Sequence, residues 1–566
     1  MAKARYVLDG ERPRLGELLL EQDMVSPEAL ASALDLQQES GRKLGAILVE
    51  SGVLDPHALS RAIARQYDLP VIDLRQVRPS DEAIALVPEQ VARAHRLVPL
   101  RVVDGVLDAA VADPGDPTLR EALANLPVSS VSLFVAPAAD VDLALNTYYR
   151  LLHADDKAVQ QFWASSTVQI IEDRTTLDGD APVIQLVNRL LAQALRDRAS
   201  DVHVEPTEGR TRIRFRVDGA LHEVLSLPVN TGVELVSRIK VMAEMDIVER
   251  RRPQDGQFQT NVFGMEVDVR VATGATIWGE KAVLRLLDKT RSLKQMHELG
   301  MPADSFARYE KILHSPYGMI LCSGPTGSGK TTTLYASLAE ISRDEINVTT
   351  IEDPVEYIFP RVNQMQILPQ AGVTFATGLK SILRQDPDVI LVGEIRDGET
   401  ARIAVQSALT GHLVMSSIHA IDAASALSRL TDMGIEPFLV ATSLVGIVGQ
   451  RLVRRICPSC VEDFKPPSGE IEYFRRLGGS RTKKVFRRGA GCEFCAHTGF
   501  RDRVGVYEVL EVTEEVAHLV NTGCTPQQIR EVAAAQGMQS MAVEGMRLVE
   551  DGVTTIHEVV RHVHIA

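Results

Sequence analysis

The 566-residue sequence has no apolar run near the roughly 18 residues that a membrane-spanning helix needs. It also has no excess of basic charge, because 61 Lys and Arg residues stand against 75 Asp and Glu residues, for a formal net charge of −14. Proteins that coat nucleic acid are usually basic, so this balance argues against direct nucleic-acid binding. Behind the charges at Met1 to Tyr6 there is no apolar segment, and we expect no secretory signal.

Cysteines are few as well. Six in this length do not form a disulfide framework, and four of them stand in two Cys-x-x-Cys pairs, which points to a metal in a reducing compartment. We therefore expect a soluble, cytoplasmic protein. Any position at the inner face of the cytoplasmic membrane would come through partners.

The remaining composition is that of ordinary globular domains, with 45% hydrophobic and 24% charged residues. At about 150 residues per domain, the length predicts about four domains. Changes of pattern along the chain divide it into six segments, at 1–66, 67–153, 181–289, 290–455, 456–500 and 501–566, with a polar, acidic linker at 154–180. The segment 67–153 is expected to be a small α/β domain. In 181–289, also expected to be α/β, charged and apolar residues alternate at 212–217 and 267–271, which predicts half-exposed strands.

The segment 1–66 contains a tandem repeat, in which two similar motifs follow one another at a constant offset. Arg14-Leu15-Gly16-x-x-Leu19 is followed by Lys43-Leu44-Gly45-x-x-Leu48, and Gln37 is matched by Gln66. Apolar positions recur at helical spacing, and Ser26-Pro27 and Asp55-Pro56 are typical of capped helix starts. Each unit is predicted to be a pair of short helices.

A phosphate-binding loop is predicted at 324–331. The pattern G-x-x-x-x-G-K-[ST] is met by Gly324, Pro325, Thr326, Gly327, Ser328, Gly329, Lys330 and Thr331, and a helix follows from Thr332. A buried strand before the loop would place its backbone N–H groups and the helix N-terminus around phosphates. Lys330 is expected to neutralise the β and γ oxygens of ATP, and the Thr331 hydroxyl to bind Mg²⁺.

Two acidic segments after this loop indicate hydrolysis as well as binding. An apolar strand at 389–393 is followed by Glu394, as in a Walker B strand, and 349–356 places three acids, which include Glu356, after another apolar stretch. A carboxylate near the terminal phosphate can deprotonate the attacking water.

Together these motifs resemble the secretion ATPase superfamily of type II secretion and type IV pilus assembly. Walker A, Asp box, Walker B and His box follow in that order, and the resemblance is strong over about 180–510. It implies an α/β fold in which a PAS-like N-terminal lobe, a flexible hinge near 288–293 and a RecA-like ATPase lobe follow helical and α/β modules. It further implies a homo-hexameric ATPase that works with an inner-membrane platform protein and a cytoplasmic adaptor.

The resemblance also implies residue roles. Glu356 would be the general base, Glu394 the Walker B acid and a Mg²⁺ ligand, and His412 and His419 would sense the terminal phosphate. Arg238 and Arg251 would supply positive charge to the transition state. The alternatives are surface ion pairs for the arginines and structural roles for the histidines.

The two cysteine pairs, Cys457/Cys460 and Cys492/Cys495, suit tetrahedral Zn²⁺ in a structural site. The segment between Cys460 and Cys492 is longer than the usual zinc-ribbon gap, but closure entropy grows slowly with loop length. Assembly-type members of the superfamily carry such a site. Reduced, metal-free thiols are the alternative.

The N-terminal repeat resembles a cyclic di-GMP-binding domain of some relatives. Leu15, Leu19, Leu44 and Leu48 would stack on guanines, Gly16 and Gly45 would allow close approach of the ligand, and Arg14 would reach a phosphate or a guanine edge. Lys43 stands where arginine is expected, and lysine has no bidentate geometry. A helical module that docks a partner is the alternative.

The leading function is therefore a mechanical ATPase that powers assembly of a pilus or a type II pseudopilus. A DNA-translocating or DNA-uptake motor is a second candidate, against which the acidic balance counts. A non-enzymatic scaffold that responds to a cyclic dinucleotide is a third. The presence of Lys330, Glu356 and Glu394 counts against it.

Overall fold

A computed structural model describes residues 13–149, 182–262, 265–288, 294–480, 482–483 and 485–563. The described residues form two compact units, one with residues up to Arg198 and Cys492–His497, the other with the remainder. The predicted linker at 154–180 lies outside the described residues, as does most of the predicted hinge.

The N-terminal repeat is helical, as predicted. Ser26 accepts a hydrogen bond from the backbone N–H of Ala29, and Asp55 accepts from the N–H groups of His57 and Ala58, so each repeat has a capped second helix. The helices are α1 (Leu15–Glu21), α2 (Pro27–Ser40), α3 (Leu44–Glu50) and α4 (Pro56–Tyr67).

A small α/β fold follows. The strand order is β1-β2-β3, with β1 and β2 antiparallel and β2 and β3 parallel. The helix at Pro182–Arg196 belongs to the same unit, and Nη1 of its last residue, Arg196, lies 2.7 Å from Glu89 Oε1. The elements are α5 (Asp81–Leu86), α6 (Glu89–Ala94), β1 (Leu97–Val103), β2 (Val106–Val111), α7 (Leu119–Ala124), β3 (Ser130–Val135), α8 (Ala138–Tyr148) and α9 (Pro182–Arg196).

The second unit begins with an antiparallel six-stranded sheet in the order β6-β5-β4-β9-β8-β7, which we call the N-lobe. Charged and apolar residues alternate along its strands, as predicted, so that one face packs against a helix. Its elements are β4 (Asp201–Thr207), β5 (Arg210–Val217), β6 (Ala220–Pro228), α10 (Val229–Met242), β7 (Gln254–Val262), β8 (Met265–Thr276) and β9 (Gly279–Asp288).

The lobe that contains the predicted phosphate-binding loop, which we call the nucleotide lobe, alternates strands and helices, as the βα pattern of its motifs predicts. Its central strands are buried along their whole length, which is typical of a parallel sheet that is covered on both faces. It comprises α11 (Ala303–Leu313), β10 (Gly318–Ser323), α12 (Lys330–Ile341), β11 (Val348–Glu352), β12 (Asn363–Gln366), α13 (Phe375–Ile382), β13 (Val389–Val392), α14 (Gly398–Leu409), β14 (Leu413–Ile418), α15 (Ala423–Asp432), α16 (Pro437–Ser443) and β15 (Leu444–Ile456).

The chain beyond β15 forms the cysteine-containing subdomain, returns to the main sheet and ends in helices. The returning strand, β18, pairs antiparallel with β15. The elements are β16 (Val461–Phe464), α17 (Ser468–Arg476), β17 (Phe486–Gly489), β18 (Phe500–Glu511), α18 (Glu514–Asn521), α19 (Pro526–Ala535), α20 (Met541–Glu550) and α21 (Ile556–Val563).

The main sheet has the order β12-β11-β13-β14-β10-β15-β18 and is parallel apart from β18. Ser323 at the end of β10 pairs in register with Ile418 at the end of β14, and Val392 at the end of β13 pairs with Ser416. The loops that follow β10, β11, β13 and β14 therefore meet at one edge, where ligands of open α/β sheets bind.

Among the described residues, no helix is both long enough and apolar enough to cross a membrane.

Candidate active site

The phosphate-binding loop lies between β10 and α12, as predicted. Gly327 and Gly329 have φ angles of 77° and 88°, where other residues are strained. A Cβ atom on Gly324 would lie 2.5 Å from Ser328 Oγ and 2.6 Å from the backbone oxygen of Gln450. The loop conformation therefore requires its glycines, which leave a cradle of backbone at the N-terminus of α12.

Polar groups in this cradle are available to an anion. Lys330 is largely buried, and its Nζ donates to the backbone oxygens of Gly324 (2.8 Å) and Pro325 (3.1 Å). Burial lowers the pKa of Lys330, and the carboxylate of Glu394 opposes this shift. Ser328 Oγ is buried and, in the part of the chain that the structure describes, has no hydrogen-bond partner. Such groups fit the phosphates of a nucleotide.

Glu394 follows β13 at the same edge of the sheet. Its carboxylate contacts the guanidinium of Arg396, and His419 Nε2 lies 3.7 Å from its Oε2. Burial, and next the charge of Lys330, lower the pKa of His419. Thr331, half-buried in the first turn of α12, follows β10, which is separated from β13 by β14 alone. The sheet thus brings together Lys330, Thr331, Glu394 and His419, which were predicted separately.

The acids after β11 differ sharply in their surroundings. Glu352 is buried and saturated, because it accepts hydrogen bonds from the Tyr335 hydroxyl, Thr350 Oγ1 (2.5 Å) and Gln364 Nε2 (3.2 Å). The Glu356 carboxylate, by contrast, has no hydrogen-bond partner among the described residues. Burial raises the pKa of Glu356, and the charge of Glu352 raises it further. Of these two acids, Glu356 is therefore the one whose carboxylate is not engaged by hydrogen bonds from the described residues.

Positive charge reaches Glu356 from the N-lobe. Arg270 on β8 and Arg285 on β9 are near enough to oppose the rise of the Glu356 pKa. Both line an open cleft of about 610 Å³ on the N-lobe, together with Asp201, whose Oδ1 lies 3.0 Å from Arg285 Nε. Two lobes thus contribute to the surroundings of one acid.

These two arginines were missed by the sequence analysis. Their signal was present, because Arg270 is a charged position in the alternating segment 267–271. The alternating pattern does not show which face of the strand lies toward the nucleotide lobe.

The two arginines that were predicted lie elsewhere. Arg238 is on α10, and its Nε is buried without a hydrogen-bond partner in the described residues. Arg251 is 91% exposed in the loop before β7, 3.7 Å from Glu249. Neither is brought to Glu356 within this chain, and their roles stay predictions.

The two predicted histidines lie at opposite edges of the sheet. His412 precedes β14 and its backbone oxygen accepts from Gly318 N, at the start of β10, whereas the phosphate loop follows the end of β10. Its Nδ1 lies 2.9 Å from the backbone oxygen of Ser407. Within one chain, the structure brings only His419 of this pair to the loop, and a sensing role for either stays a prediction.

The four paired cysteines form a cluster, in which all Sγ atoms lie within 4.8 Å of one another. Cys492 Sγ and Cys495 Sγ are 3.7 Å apart, and a tetrahedral ion with Zn–S bonds of about 2.3 Å would place its sulfurs about 3.8 Å apart. Backbone N–H groups of Gly491 and Cys492 donate to Cys460 Sγ (3.3 Å) and Cys495 Sγ (3.2 Å). The donor set therefore fits zinc.

The long insertion between the cysteine pairs is itself folded where it is described. Strands β16 and β17 pair antiparallel, so that Val461, just after the first pair, lies beside Gly489, just before the second. This pairing, and not a flexible loop, brings the two Cys-x-x-Cys segments together.

The N-terminal repeat places its motif residues at equivalent positions. Arg14 and Lys43 are the exposed N-cap residues of α1 and α3. Leu15, Leu44, Gln37 and Gln66 are half-buried, and Gln66 Nε2 donates to the backbone oxygen of Pro13 (2.9 Å). Lys43 pairs with Asp113.

Two leucines of the repeat need a correction. Leu19 and Leu48 are 0% exposed in the core of the helices, so they are not available to stack on a guanine. The glycines also face protein, because a Cβ on Gly45 would lie 2.9 Å from Leu59 Cδ1, and one on Gly16 would lie 3.4 Å from Leu30. Helical spacing of these residues could indicate either a ligand-binding face or packing between helices. In the structure, these leucines and glycines pack against other residues of the helices.

Comparisons with known proteins identify two sequence families along the chain. The sequence profile of the family described as type II/IV secretion system protein matches residues 176–561. The profile of the MshEN domain matches residues 67–155, which is the small α/β segment and not the repeat before it.

Two relatives match almost end to end. The type IV pilus assembly ATPase PilB of Myxococcus xanthus is 40% identical over 97% of this chain and 98% of its own length. The type II secretion system protein E of Xanthomonas campestris pv. campestris is 39% identical over the same shares.

The fold also has a counterpart among solved structures. The Yersinia pseudotuberculosis ATPase DotB covers 69% of this chain and 96% of its own, with a TM-score of 0.50 and 18% identity. The similarity to this structure supports the fold alone. The family assignment rests on the sequence profile and the two full-length relatives. The chain belongs to the type II/IV secretion system protein family, the family of secretion and pilus ATPases.

Proposed function

We propose that this protein hydrolyses ATP and uses the energy to assemble a type IV pilus or a type II secretion pseudopilus. The observation that carries the chemistry is the convergence of Lys330, Glu394 and Glu356 on one sheet edge, with the charges of Arg270 and Arg285 of the other lobe opposing the rise of the Glu356 pKa. A signal-binding scaffold would not need these groups. Because its relatives are secretion and pilus ATPases, a DNA motor is not favoured.

The residues suggest how hydrolysis proceeds. Lys330 and the backbone N–H groups of the loop hold the phosphates, with Lys330 turning from the oxygens of Gly324 and Pro325 to the phosphate oxygens. Glu356 accepts a proton from the attacking water, and its raised pKa makes it a stronger base than an exposed glutamate. Arg270 and Arg285 then stabilise the charge that develops on the transferred phosphoryl group.

Thr331 and Glu394 would hold Mg²⁺, directly or through water. Hydroxyl and carboxylate oxygens are suitable ligands for this cation, and the two residues follow β10 and β13, whose ends lie at the same sheet edge. When bound, the metal neutralises negative charge on the phosphates. We likewise propose that the four cysteines hold a structural Zn²⁺, since four thiolates leave no open position for water.

The mechanical part of the proposal rests on the family. We infer a homo-hexamer in which opening and closing of the two lobes drives an inner-membrane platform protein, with a cytoplasmic adaptor. Pilus and secretion relatives match this chain equally well, so both filaments remain candidates.

The decisive test is Lys330→Ala. The purified variant should lose at least about a hundred-fold in ATP turnover, because it loses the charge that binds the phosphates. Lys311→Ala is the matched control, since Lys311 pairs with Glu511 at the surface and should leave turnover unchanged. Full turnover in a folded Lys330→Ala protein would contradict the proposal.

We propose cyclic di-GMP binding by the N-terminal repeat as a second function. It is supported by the equivalent placement of Arg14 and Lys43, exposed at the starts of α1 and α3 beside half-buried Leu15 and Leu44. A flat guanine can pack on such leucines while the basic residue reaches a phosphate.

Calorimetric titration of the full chain with cyclic di-GMP tests this function. Binding should be lost, or weakened at least about ten-fold, in Arg14→Ala. It should persist in Arg42→Ala, whose arginine pairs with Glu50 in the same module. Absence of heat with the wild-type protein would remove this ligand.

A further inference from the structure

A single glutamine interrupts an apolar segment of the main sheet. Residues 444–449, at the start of β15, are leucine, valine, isoleucine and glycine, and Gln450 follows with only 2% of its surface exposed. A buried amide is costly unless its donor and acceptor are both used. The neighbours of this amide therefore indicate why it is there.

Both ends of the Gln450 amide bind the phosphate-binding segment. Its Nε2 donates to the backbone oxygen of Ser328, in the loop, at 2.8 Å. Its Oε1 accepts from Thr333 Oγ1, in the first turn of α12, at 2.8 Å. One side chain thus joins β15 to the loop and to the helix that follows it.

The bond to Ser328 has a directional consequence. In a trans peptide the C=O of one residue and the N–H of the next point in opposite directions within one plane. Holding the Ser328 oxygen toward Gln450 therefore aims the N–H of Gly329 away from β15. Gly329 is the N-cap of α12, and a Cβ there would lie 2.7 Å from Gln450 Nε2, so the fit at this peptide is close.

We propose that Gln450 is a positioning residue for nucleotide binding, which orients the Ser328–Gly329 peptide and the first turn of α12 toward the phosphates. This inference rests on the proposed ATPase function, because the ligand is the triphosphate. Gln450 itself touches protein groups and acts through the loop.

Gln450→Leu removes both hydrogen bonds at similar volume. The Ser328 oxygen and the Thr333 hydroxyl lose their hydrogen bonds to Gln450, and the Ser328–Gly329 peptide becomes free to rotate. The affinity for an ATP analogue should weaken about ten- to hundred-fold. In turnover measurements, the KM for ATP should rise more than kcat falls.

Gln450→Glu separates positioning from mere packing. A protonated glutamic acid can donate to the Ser328 oxygen and accept from Thr333, whereas the ionised form turns an acceptor against the Ser328 oxygen. Burial favours the protonated form. The affinity of this variant, relative to wild type at the same pH, should therefore recover at least about five-fold between pH 8 and pH 6.

Titration of the other ionisable groups around this amide should not produce the same pH dependence of affinity. Lys330 lies on α12, Cys322 on β10 and Tyr507 on the paired strand β18. Burial raises the pKa of Cys322 to about 12 and also raises that of Tyr507. Arg451, the next residue, donates to the Gln450 backbone oxygen at 2.9 Å and stays charged. Comparison at equal pH cancels any change at Lys330, which the variant and the wild type share.

The experiment measures equilibrium binding of a fluorescent, non-hydrolysable ATP analogue to the full chain at pH 6, 7 and 8. It uses the wild type, Gln450→Leu, Gln450→Glu and the control Gln193→Leu, a buried glutamine of the N-terminal unit. Weak binding by the leucine variant, pH-dependent recovery by the glutamate variant and normal binding by the control would support the proposal.

Three outcomes would overturn it. These are wild-type affinity in Gln450→Leu, a Gln450→Glu affinity that follows the leucine variant at every pH, or an equal loss in Gln193→Leu. If a variant fails to fold, its melting temperature and circular dichroism show this, and the other Gln450 variant decides. A wild-type protein that binds no analogue would instead refute the proposed ATPase function, and this inference with it.

Discussion

The phosphate-binding loop and the N-terminal repeat both combine a basic residue with glycine, but their glycines do different work. In the loop, Gly327 and Gly329 have positive φ angles, and the glycines leave a cradle whose polar groups include the unpartnered Ser328 hydroxyl. In the repeat, Gly16 and Gly45 lie at helix starts with ordinary angles and face leucines. A glycine in a motif can thus indicate a ligand or close packing, and backbone angle and neighbours distinguish the two.

The difference predicts that substitutions in the nucleotide lobe change turnover, while those in the repeat change stability. Glu356→Gln should show the largest effect, a loss of about 10²- to 10⁴-fold in ATP turnover, because the general base is removed. The free energy of unfolding at neutral pH should not fall, since a raised carboxyl pKa means that the ionised form is disfavoured in the folded state. Turnover and chemical denaturation measure the two effects.

The pH dependence of wild-type turnover sharpens this point. A general base must be ionised, so turnover should fall as the pH drops through the Glu356 pKa, which lies above its ordinary value of 4.5. This acidic limb should be absent in Glu356→Gln. An identical limb in both proteins would assign it to another group.

Disruption of the cysteine cluster should have an effect of intermediate size. Because we expect the cluster to be a structural site, the effect should be on stability. Cys457→Ser, or removal of the metal by a chelator, should lower the stability of the 456–500 segment by more than about 3 kcal/mol, because the ion joins both cysteine pairs. Thermal melting and zinc analysis by mass spectrometry measure this. Cys524→Ser is the matched control, because Cys524 is outside the cluster. An unchanged melting profile without bound zinc would refute the site.

The smallest effect should come from a pair of substitutions within the repeat. Gly45→Ala must displace Leu59, whose Cδ1 would be 2.9 Å from the new Cβ, and should destabilise the protein by about 1 kcal/mol after the helix-propensity gain. Gly16→Ala meets Leu30 at 3.4 Å and should be neutral or slightly stabilising. Chemical denaturation should separate the two, with turnover unchanged. Equal effects would show that packing does not distinguish these glycines.

Local patterns predicted much of this architecture. The alternating segments at 212–217 and 267–271 are strands, the two helix pairs of the repeat have their predicted caps, and the phosphate loop lies between a buried strand and a helix. These features depend on neighbours in sequence, through capping, periodicity and backbone angle. The strands of the cysteine insertion were not anticipated, because the segment between the two pairs was considered as a loop to be closed.

Contacts between distant segments were harder to predict. Arg238 and Arg251 were chosen as positive groups, and their roles stay predictions. Arg270 and Arg285, which were not chosen, are arginines of this chain whose charge opposes the rise of the Glu356 pKa. Leu19 and Leu48 were expected at a ligand and lie in a core. In each case the composition of the motif was informative, but the face on which a side chain lies depends on a partner element far away in the chain.

The sequence alone was sufficient for the phosphate loop, the acidic strand ends, the cysteine pairs and the family, because each depends on residue type at short spacing. The tertiary structure decided which of these residues meet. Parallel strand pairing brings Lys330, Glu394 and His419 to one edge and leaves His412 at the other, and strand β15 places Gln450 against the loop. The physical reason is that register and sheet order arise from packing over the whole lobe, which no local pattern encodes.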